Sequence, residues 1–545
     1  MLSARSLSAE ALELSSMTDY IVIGAGSAGC VLAARLSEDP DVGVTLLEAG
    51  GSDDTLLIRG PALYSRLWRS KHDWAFRTEP QAFSGGRRMF WPRGKVLGGS
   101  SSLNVMVYIR GHRSNYDEWR DLGNAGWGYD DVLPYFKRSE NWCGEPSEFH
   151  GTEGPLDVRS AGPHEPSADA FVDAAAEVCR VPRNDDFNGA SQEGVGHYQY
   201  TVRDRQRWST ADAFLRPALA RKNLEVITNA TVVGLVVENG RATGVKYAVG
   251  EKVHVVNAAR EVILAAGAVG SPHLLMLSGI GPADHLKEHG VEVVHDLPGV
   301  GSNLQDHLMS ASQYAVKENA SRKFGKLAAL SWLARYALFK SGPFTHPVVH
   351  TGGFVRLGSN QSRPNLQFHV APFGAFTPNT DEPGDPDSGR LLTMFPSLLY
   401  PKSRGEIRLR SADPLAPPSI DPRYFSEAAD MELLVEGIKL CREIAAAKPL
   451  ADLCVSEVRP GAEAKTDEAI REDIRLRVNT IFHPVGTCKM GNDEMSVVDS
   501  ELRVRGIEGL RVVDGSIMPK IIGGNTHAPI VMIAEKASDL IRARA

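Results

Sequence analysis

Two histidines stand in Gly/Pro-rich turns near the end of the sequence. His483 lies in Ile481-Phe482-His483-Pro484-Val485-Gly486-Thr487-Cys488-Lys489-Met490-Gly491. His527 follows 44 residues later, in Gly523-Gly524-Asn525-Thr526-His527-Ala528-Pro529. An imidazole, with an ordinary pKa of about 6.5, can take up a proton at cellular pH. Two at one site would suit general acid–base work. Taken alone, a pair of structural histidines is the plainer reading. Ile530, Ile533, Ala534, Ala537, Leu540 and Ile541 then follow at helical spacing. A helix buried on one face is therefore expected to begin near Pro529, with His527 at its mouth.

The element that gives these histidines meaning lies at the other end of the chain. Tyr20-Ile21-Val22-Ile23 is a short apolar strand leading into Gly24-Ala25-Gly26-Ser27-Ala28-Gly29. A helix through Val31, Ala34 and Leu36 follows, then a second strand, Val44-Thr45-Leu46-Leu47, closed by Glu48. This is G-x-G-x-x-G in β-α-β context, with an acidic residue placed to accept from a ribose hydroxyl. Its glycines let backbone approach a pyrophosphate at a helix N-terminus. The motif indicates a dinucleotide and does not separate FAD from NAD. A second glycine-rich segment, Trp91-Pro92-Arg93-Gly94-Lys95-Val96-Leu97-Gly98-Gly99-Ser100-Ser101-Ser102-Leu103-Asn104, leads into Val105-Met106-Val107-Tyr108-Ile109. Its serines suit a helix N-terminus facing a polar ligand, although a Ser-capped turn explains them equally well. With no G-x-S-x-G elbow, a serine hydrolase is disfavoured.

Between 211 and 278 the α/β pattern returns, with strands at 223–227, 231–237, 244–247 and 261–264; the last closes on Ala265-Ala266-Gly267-Ala268. From about 310 to 475 the pattern becomes that of an antiparallel sheet. Pro364-Asn365-Leu366-Gln367-Phe368-His369-Val370 alternates polar and apolar, and strands are expected at 391–399 and 406–409. The Asn365, Gln367 and His369 face is expected to be exposed rather than to line a cavity. Leu510-Arg511-Val512-Val513-Asp514-Gly515-Ser516 restores the first fold, so the cofactor unit is discontinuous. The pairs His285/His289 and His346/His350 lack the companions of a metal site, and no metal is expected.

With 545 residues the chain needs more than one small core. At 42% apolar and 23% charged residues it has the make-up of a globular enzyme, and its net charge of −7 argues against nucleic acid as a partner. The cysteines Cys30, Cys143, Cys179, Cys441, Cys454 and Cys488 are scattered, which fits a reducing, cytoplasmic setting. No apolar run approaches the roughly 20 residues of a membrane span. Met1–Ser16, carrying Glu10 and Glu13, reads as a disordered extension rather than a signal peptide, and Met17 is an alternative start.

Taken together, these motifs resemble the glucose–methanol–choline (GMC) oxidoreductases, flavoproteins that oxidise alcohols. Gly94 to Asn104 is similar to the family's first signature and Gly267 to Gly281 to its second. Asp514-Gly515-Ser516 and the two histidine segments complete the likeness, which covers nearly the whole chain from Met17. Asn365-Leu366-Gln367-Phe368-His369 and Pro401-Lys402-Ser403-Arg404-Gly405 carry a closer similarity to bacterial choline dehydrogenase-like proteins and FAD-dependent primary alcohol dehydrogenases. The implied fold is α/β: an FAD-binding Rossmann-like domain (17–155, 200–310 and 476–545) with an inserted substrate domain (156–199 and 311–475) built on an antiparallel sheet backed by helices.

The resemblance implies FAD, with Gly24, Gly26, Ser27, Ala28 and Gly29 on its pyrophosphate. Glu48, beside Ala49, would hold its ribose, and Val232 or Val233 its adenine. Further contacts are implied from Trp91, Arg93, Val96, Gly98, Gly99 and Ser100, from Asn104, Val105, Met106 and Val107 at the flavin, and from Ala266, Gly267, Asp514, Gly515, His527, Ala528 and Pro529. Leu103 stands where some relatives carry the histidine that bonds FAD covalently, so non-covalent FAD is expected. His527 stands where many choline-type relatives have Asn, which weakens choline as substrate. The implied reaction takes an alcohol, foremost an aliphatic primary one, to its aldehyde by hydride transfer to flavin N5. His483 would be the base and His527 would hold the alcohol oxygen, with Asn525 the less favoured partner. Choline, polyether and aryl alcohols are alternatives, and a hydroxynitrile lyase or fatty-acid photodecarboxylase are rivals of another class. The electron acceptor is open among oxygen, a quinone and a soluble carrier, and peripheral association with the inner membrane stays open with it.

Overall fold

The computed structural model describes residues 13–14, 17–160, 164–322, 325–372 and 390–543. Its first sheet is built as the spacing predicts. Thr18–Ile23 runs parallel between Val44–Glu48 on one side and Lys252–Leu264 on the other. Leu224–Thr228 and Leu510–Val512 extend the parallel part outward. Lys252–Leu264 is longer than the strand expected at 261–264. A bulge between Ala258 and Glu261 lets its first half pair antiparallel with Arg241–Val249, and Arg241–Val249 with Thr231–Glu238. One bent strand thus joins a parallel sheet to an antiparallel ribbon. Of residues 1–16, Glu13–Leu14 pair in parallel with that strand; the rest of the expected extension lies outside the described residues.

Helix Ser27–Leu36 packs on the helix His527–Arg542, which starts two residues before the expected Pro529. Buried Glu535 ties the pair, accepting from Arg35 at 2.8 Å and Arg138 at 2.7 Å. The two ends of the sequence therefore close one cofactor unit.

The second sheet is antiparallel. Its strands lie in the order Cys454–Arg459, Ser312–Val316, Leu391–Leu398, Leu366–Ala371, Thr351–Val355 and Gly194–His197. Two short strands join it although the sequence division gives them to the cofactor unit: Leu308–Met309 pairs with the end of Leu391–Leu398 and with Asn479–Thr480. The strand expected at 406–409 is not part of it. Glu406–Arg408 instead pairs with Ser419–Asp421 in a separate two-stranded sheet.

Phe368 and Val370 face helices Pro166–Cys179 and Ala428–Ala446 through Phe171, Ala175, Cys441 and Ile444. Gln367 and His369 point the other way, toward the cofactor unit, and are buried there. The expectation of an exposed face is overturned. Both sheet faces are covered, one by helices and one by the other unit, so alternation here marks two kinds of burial.

Candidate active site

The His483 turn follows Asn479–Thr480 and is clamped from three directions. Phe482 takes a left-handed φ of 65°, and its carbonyl accepts from Arg93 Nη2 at 2.6 Å. Asp306 Oδ1 accepts from the His483 backbone N–H at 2.7 Å. Asp306 Oδ2 accepts the Tyr424 hydroxyl at 2.5 Å and also the Thr480 hydroxyl. Burial lifts the Asp306 carboxyl to about 6, and these donors pull the other way.

A chain of hydrogen bonds fixes which nitrogen of His483 is bare. The Leu399 carbonyl, 3.0 Å from His307 Nε2, can only accept, so that nitrogen carries the proton. Neutral His307 then has a bare Nδ1, 3.0 Å from His483 Nδ1. His483 Nδ1 must donate, which leaves its Nε2 as a lone pair. Burial lowers His307 to about 3, and burial together with His307, His369 and Arg93 holds His483 well below the ordinary imidazole value. Both rings are neutral at cellular pH.

Asn525 faces that lone pair, with Nδ2 3.4 Å from His483 Nε2. Its orientation is set from the substrate sheet. Gln367 Nε2 donates to Asn525 Oδ1 and to the Tyr198 hydroxyl, each at 3.1 Å, and Tyr198 donates to the Phe368 carbonyl. The amide oxygen is thereby engaged, and the NH2 group is turned toward His483.

His527 reaches the dinucleotide turn. Its Nδ1 lies 3.1 Å from Ser27 Oγ, at the start of the glycine-led helix. Burial, with Arg207 nearby, lowers its pKa to about 4. Its Nε2 is buried and has no hydrogen-bond partner among the described residues. The side chain that meets His483 Nε2 is thus Asn525, while His527 Nδ1 meets Ser27. Asn525 turns inward to His483, and His527, two residues on and one step into the helix, faces the dinucleotide turn.

A cavity of about 600 Å³ runs along that turn. Of the expected cofactor contacts, Gly24, Gly26, Ser27, Ala28, Glu48, Ala49, Arg93, Gly99, Ser100, Val232, Ala266, Gly267, Asp514 and Gly515 line it. Pro484, Thr526 and Ile530 line it too, so both histidine turns border it. Gly24 has φ +97°, and a Cβ there would stand 2.8 Å from the Ala265 carbonyl. A Cβ on Gly99 would come within 2.6 Å of the Gly26 Cα, so the two glycine turns meet backbone to backbone. Glu48 accepts from Ala25 N and Gly50 N, both at 2.8 Å, and burial pushes its carboxyl up to about 7. A diol donating to it would favour the charged form. Asp514 accepts from Gly267 N at 2.8 Å and Ser271 Oγ at 2.5 Å, pinning the third glycine turn.

The other expected contacts do not line this cavity. Trp91 is buried, its Nε1 donating to Tyr424 at 3.1 Å. Val96, Met106 and Val107 are buried, as are Ala528 and Pro529 in the first turn of their helix. Gly29 and Gly98 allow tight turns, a Cβ on Gly29 lying 1.8 Å from the Gly24 carbonyl. Val105 and Val233 are half-buried. Asn104 Oδ1 accepts from Arg207 at 2.7 Å and from Met106 N at 3.1 Å, which leaves its NH2 to donate. The serines Ser100–Ser102 form a single 3-10 turn, Gly99–Ser102, rather than opening a long helix.

Sequence reasoning missed His307, Asp306, Arg207 and Tyr198. Asp306-His307 was a legible acid–imidazole pair, whereas Arg207 and Tyr198 sit in stretches with no pattern of their own.

A cradle of three glycine turns, an orphaned imidazole nitrogen and a buried carboxylate at the strand end suit a flavin dinucleotide, and the fold is that of an FAD-dependent oxidoreductase. The chain belongs to the GMC oxidoreductase family, whose N- and C-terminal domains match residues 18–309 and 401–534. It is 46% identical over 537 residues to an alcohol dehydrogenase [acceptor] of Pseudomonas putida, covering 96% of each chain. To an oxygen-dependent choline dehydrogenase of Photobacterium profundum it is 42% identical over 530 residues, covering 96% of this chain and 92% of that one. Among solved structures, a formate oxidase of Aspergillus oryzae, studied for FAD modification, superposes with a TM-score of 0.91. It is 28% identical, over 97% of this chain and 98% of that one. The protein is an FAD-binding oxidoreductase of the kind that acts on CH–OH groups. Among the described residues no helix is long and apolar enough to cross a membrane.

Proposed function

We propose that this chain oxidises an aliphatic primary alcohol to its aldehyde, with His483 as the base and Asn525 as its partner. The observation that carries this reading is the neutral His483 ring whose Nε2 lone pair is set by the Leu399–His307 chain. FAD, when bound, supplies the acceptor for the hydride. His483 Nε2 takes the hydroxyl proton, the step in which a positioned base is typically worth about 10²–10⁴ in rate. Asn525, held by Gln367, donates to the alcohol oxygen as negative charge gathers there. His527, faced toward Ser27, is assigned to holding the cofactor.

An uncharged substrate is favoured over choline. Asp306, the carboxylate that touches the His483 turn, has both oxygens engaged by His483 N, Tyr424 and Thr480. It is not left to balance a quaternary ammonium. Aryl alcohols are a second reading, because Trp68 meets Phe482 edge-on at 6.1 Å beside His483.

Anaerobic titration of the holoenzyme with 1-alkanols, benzyl alcohol and choline tests the proposal. Bleaching of the flavin band at the lowest concentrations by 1-alkanols is expected. Bleaching by choline alone, or by none of these alcohols, would overturn it.

A further inference from the structure

The helix Lys326–Phe339 packs one face, Ala329, Trp332, Leu333 and Tyr336, against Leu56, Leu57, Ala62, Leu63 and Phe344. Its opposite face is as apolar and is open to solvent. Leu327, Leu330, Ala334, Ala337 and Leu338 line that face at helical spacing. Leu327, Leu330, Leu338 and the adjoining Phe339 are 64–84% exposed. A helix apolar all round belongs in a core or against lipid.

Charge distinguishes between partners. The whole chain carries −7, yet no Asp or Glu stands between 319 and 380. Arg322, Arg356 and Arg363 in that stretch are paired with Glu165, Glu193 and Glu118, so the charge at the helix is that of the cations on and beside it. Lys326 and Arg335 on the helix and Lys340 just beyond it are all cations, and Arg335 is exposed. A second copy of this chain seated here would bring like charges together. An anionic lipid surface would meet both the apolar stripe and the cations. Fourteen residues span about 21 Å, short of the roughly 30 Å hydrocarbon core, so such a helix lies in the membrane plane.

We propose that Lys326–Phe339 docks this protein onto an anionic phospholipid surface, with Leu327, Leu330 and Leu338 entering the top of the acyl layer. The proposal goes beyond the reading of the active site and does not depend on which alcohol is oxidised. The docked surface is nevertheless connected to that site. The helix rests on Pro61–Leu67, and Trp68, directly after it, touches Phe482 beside His483. An apolar substrate or acceptor dissolved in lipid would enter close to the proposed base.

The test is co-sedimentation of the FAD-loaded protein with phosphatidylcholine vesicles made with and without phosphatidylglycerol. Binding at least about tenfold tighter with phosphatidylglycerol is expected, weakening as salt is raised. The triple variant Leu327→Ser, Leu330→Ser, Leu338→Ser should lose at least about tenfold in affinity. Arg335→Ala should lose roughly fivefold. Dye-linked turnover of a water-soluble alcohol should be unchanged in both. Should the triple variant fail to retain flavin, Arg335→Ala and the salt series decide alone. Failure of the unmodified protein to bind phosphatidylglycerol vesicles, or equal binding by Arg335→Ala at every salt concentration, overturns the proposal. So does a dimer in sedimentation velocity that the triple variant converts to monomer, since the face would then be for self-association.

Discussion

His483 and His527 look alike in sequence and differ in what the fold asks of them. His527 is buried and His483 half-buried, both are neutral, and each sits in a turn rich in Gly and Pro. His483 has its Nδ1 fixed by His307 and presents Nε2 to Asn525, at the seam between the cofactor unit and the antiparallel sheet. His527 has its Nδ1 at Ser27 and its Nε2 without a partner, against the dinucleotide turn. The residue type is the same, and on the proposed assignment the second ring nitrogen decides the role. An imidazole becomes a base when a hydrogen bond behind it strips one nitrogen and aims it at the reacting atom.

That contrast can be broken most severely at Asn525. Asn525→Ala removes the donor beside His483, and anaerobic flavin reduction should slow about 10–10²-fold while FAD stays bound. An unchanged rate would return the partner's role to another residue. Next comes His307→Phe, which keeps the ring volume and strips both nitrogens. Flavin reduction should slow about tenfold with KM little changed, because His483 can then adopt either tautomer. The acid limb of the kcat/KM profile should move further below the ordinary imidazole value, because the neutral acceptor that favours protonated His483 is gone; mere loosening of the fold would move it up.

Stability in acid is a smaller effect and treats both histidine sites alike. His307 is held near 3, and His369 and His527 near 4, by burial. Below about pH 6.5 the unfolded chain binds protons that the folded one refuses, so stability falls as pH drops toward those values. Each group contributes up to about 1.4 kcal/mol per pH unit in that window. Thermal midpoints should fall between pH 7 and 5, and the fall should be shallower in His369→Phe. The least perturbing test is acid precipitation. Leu103 offers no nucleophile, so the yellow flavin should leave with the supernatant, and colour kept in the pellet would show a covalent bond.

The cofactor half of the molecule was legible because its information is local. Gly24 to Gly29, Glu48 and the flanking strands carry their spacing within one β-α-β unit, and the cavity lies along them. The substrate half was legible as an antiparallel sheet but misread in its exposure. Gln367 and His369 alternate with Phe368 and Val370 as a half-exposed strand would, yet the cofactor unit covers them. Nothing within six residues of a strand reports what a distant unit will lay over it. The choice between Asn525 and His527 rests on a related kind of information. The two are two residues apart at a helix entrance, and which one turns inward depends on where that helix starts relative to Ser27 and Gln367.

The account turns on which histidine does chemistry, and a single paired experiment decides it. Anaerobic stopped-flow reduction of the flavin by a 1-alkanol should be at least about 10²-fold slower in His483→Ala, with FAD fully retained. In His527→Ala it should stay within about threefold of the unmodified enzyme per bound flavin, while FAD is held less tightly. The reverse order, with His527→Ala slow and His483→Ala near normal, would contradict the assignment.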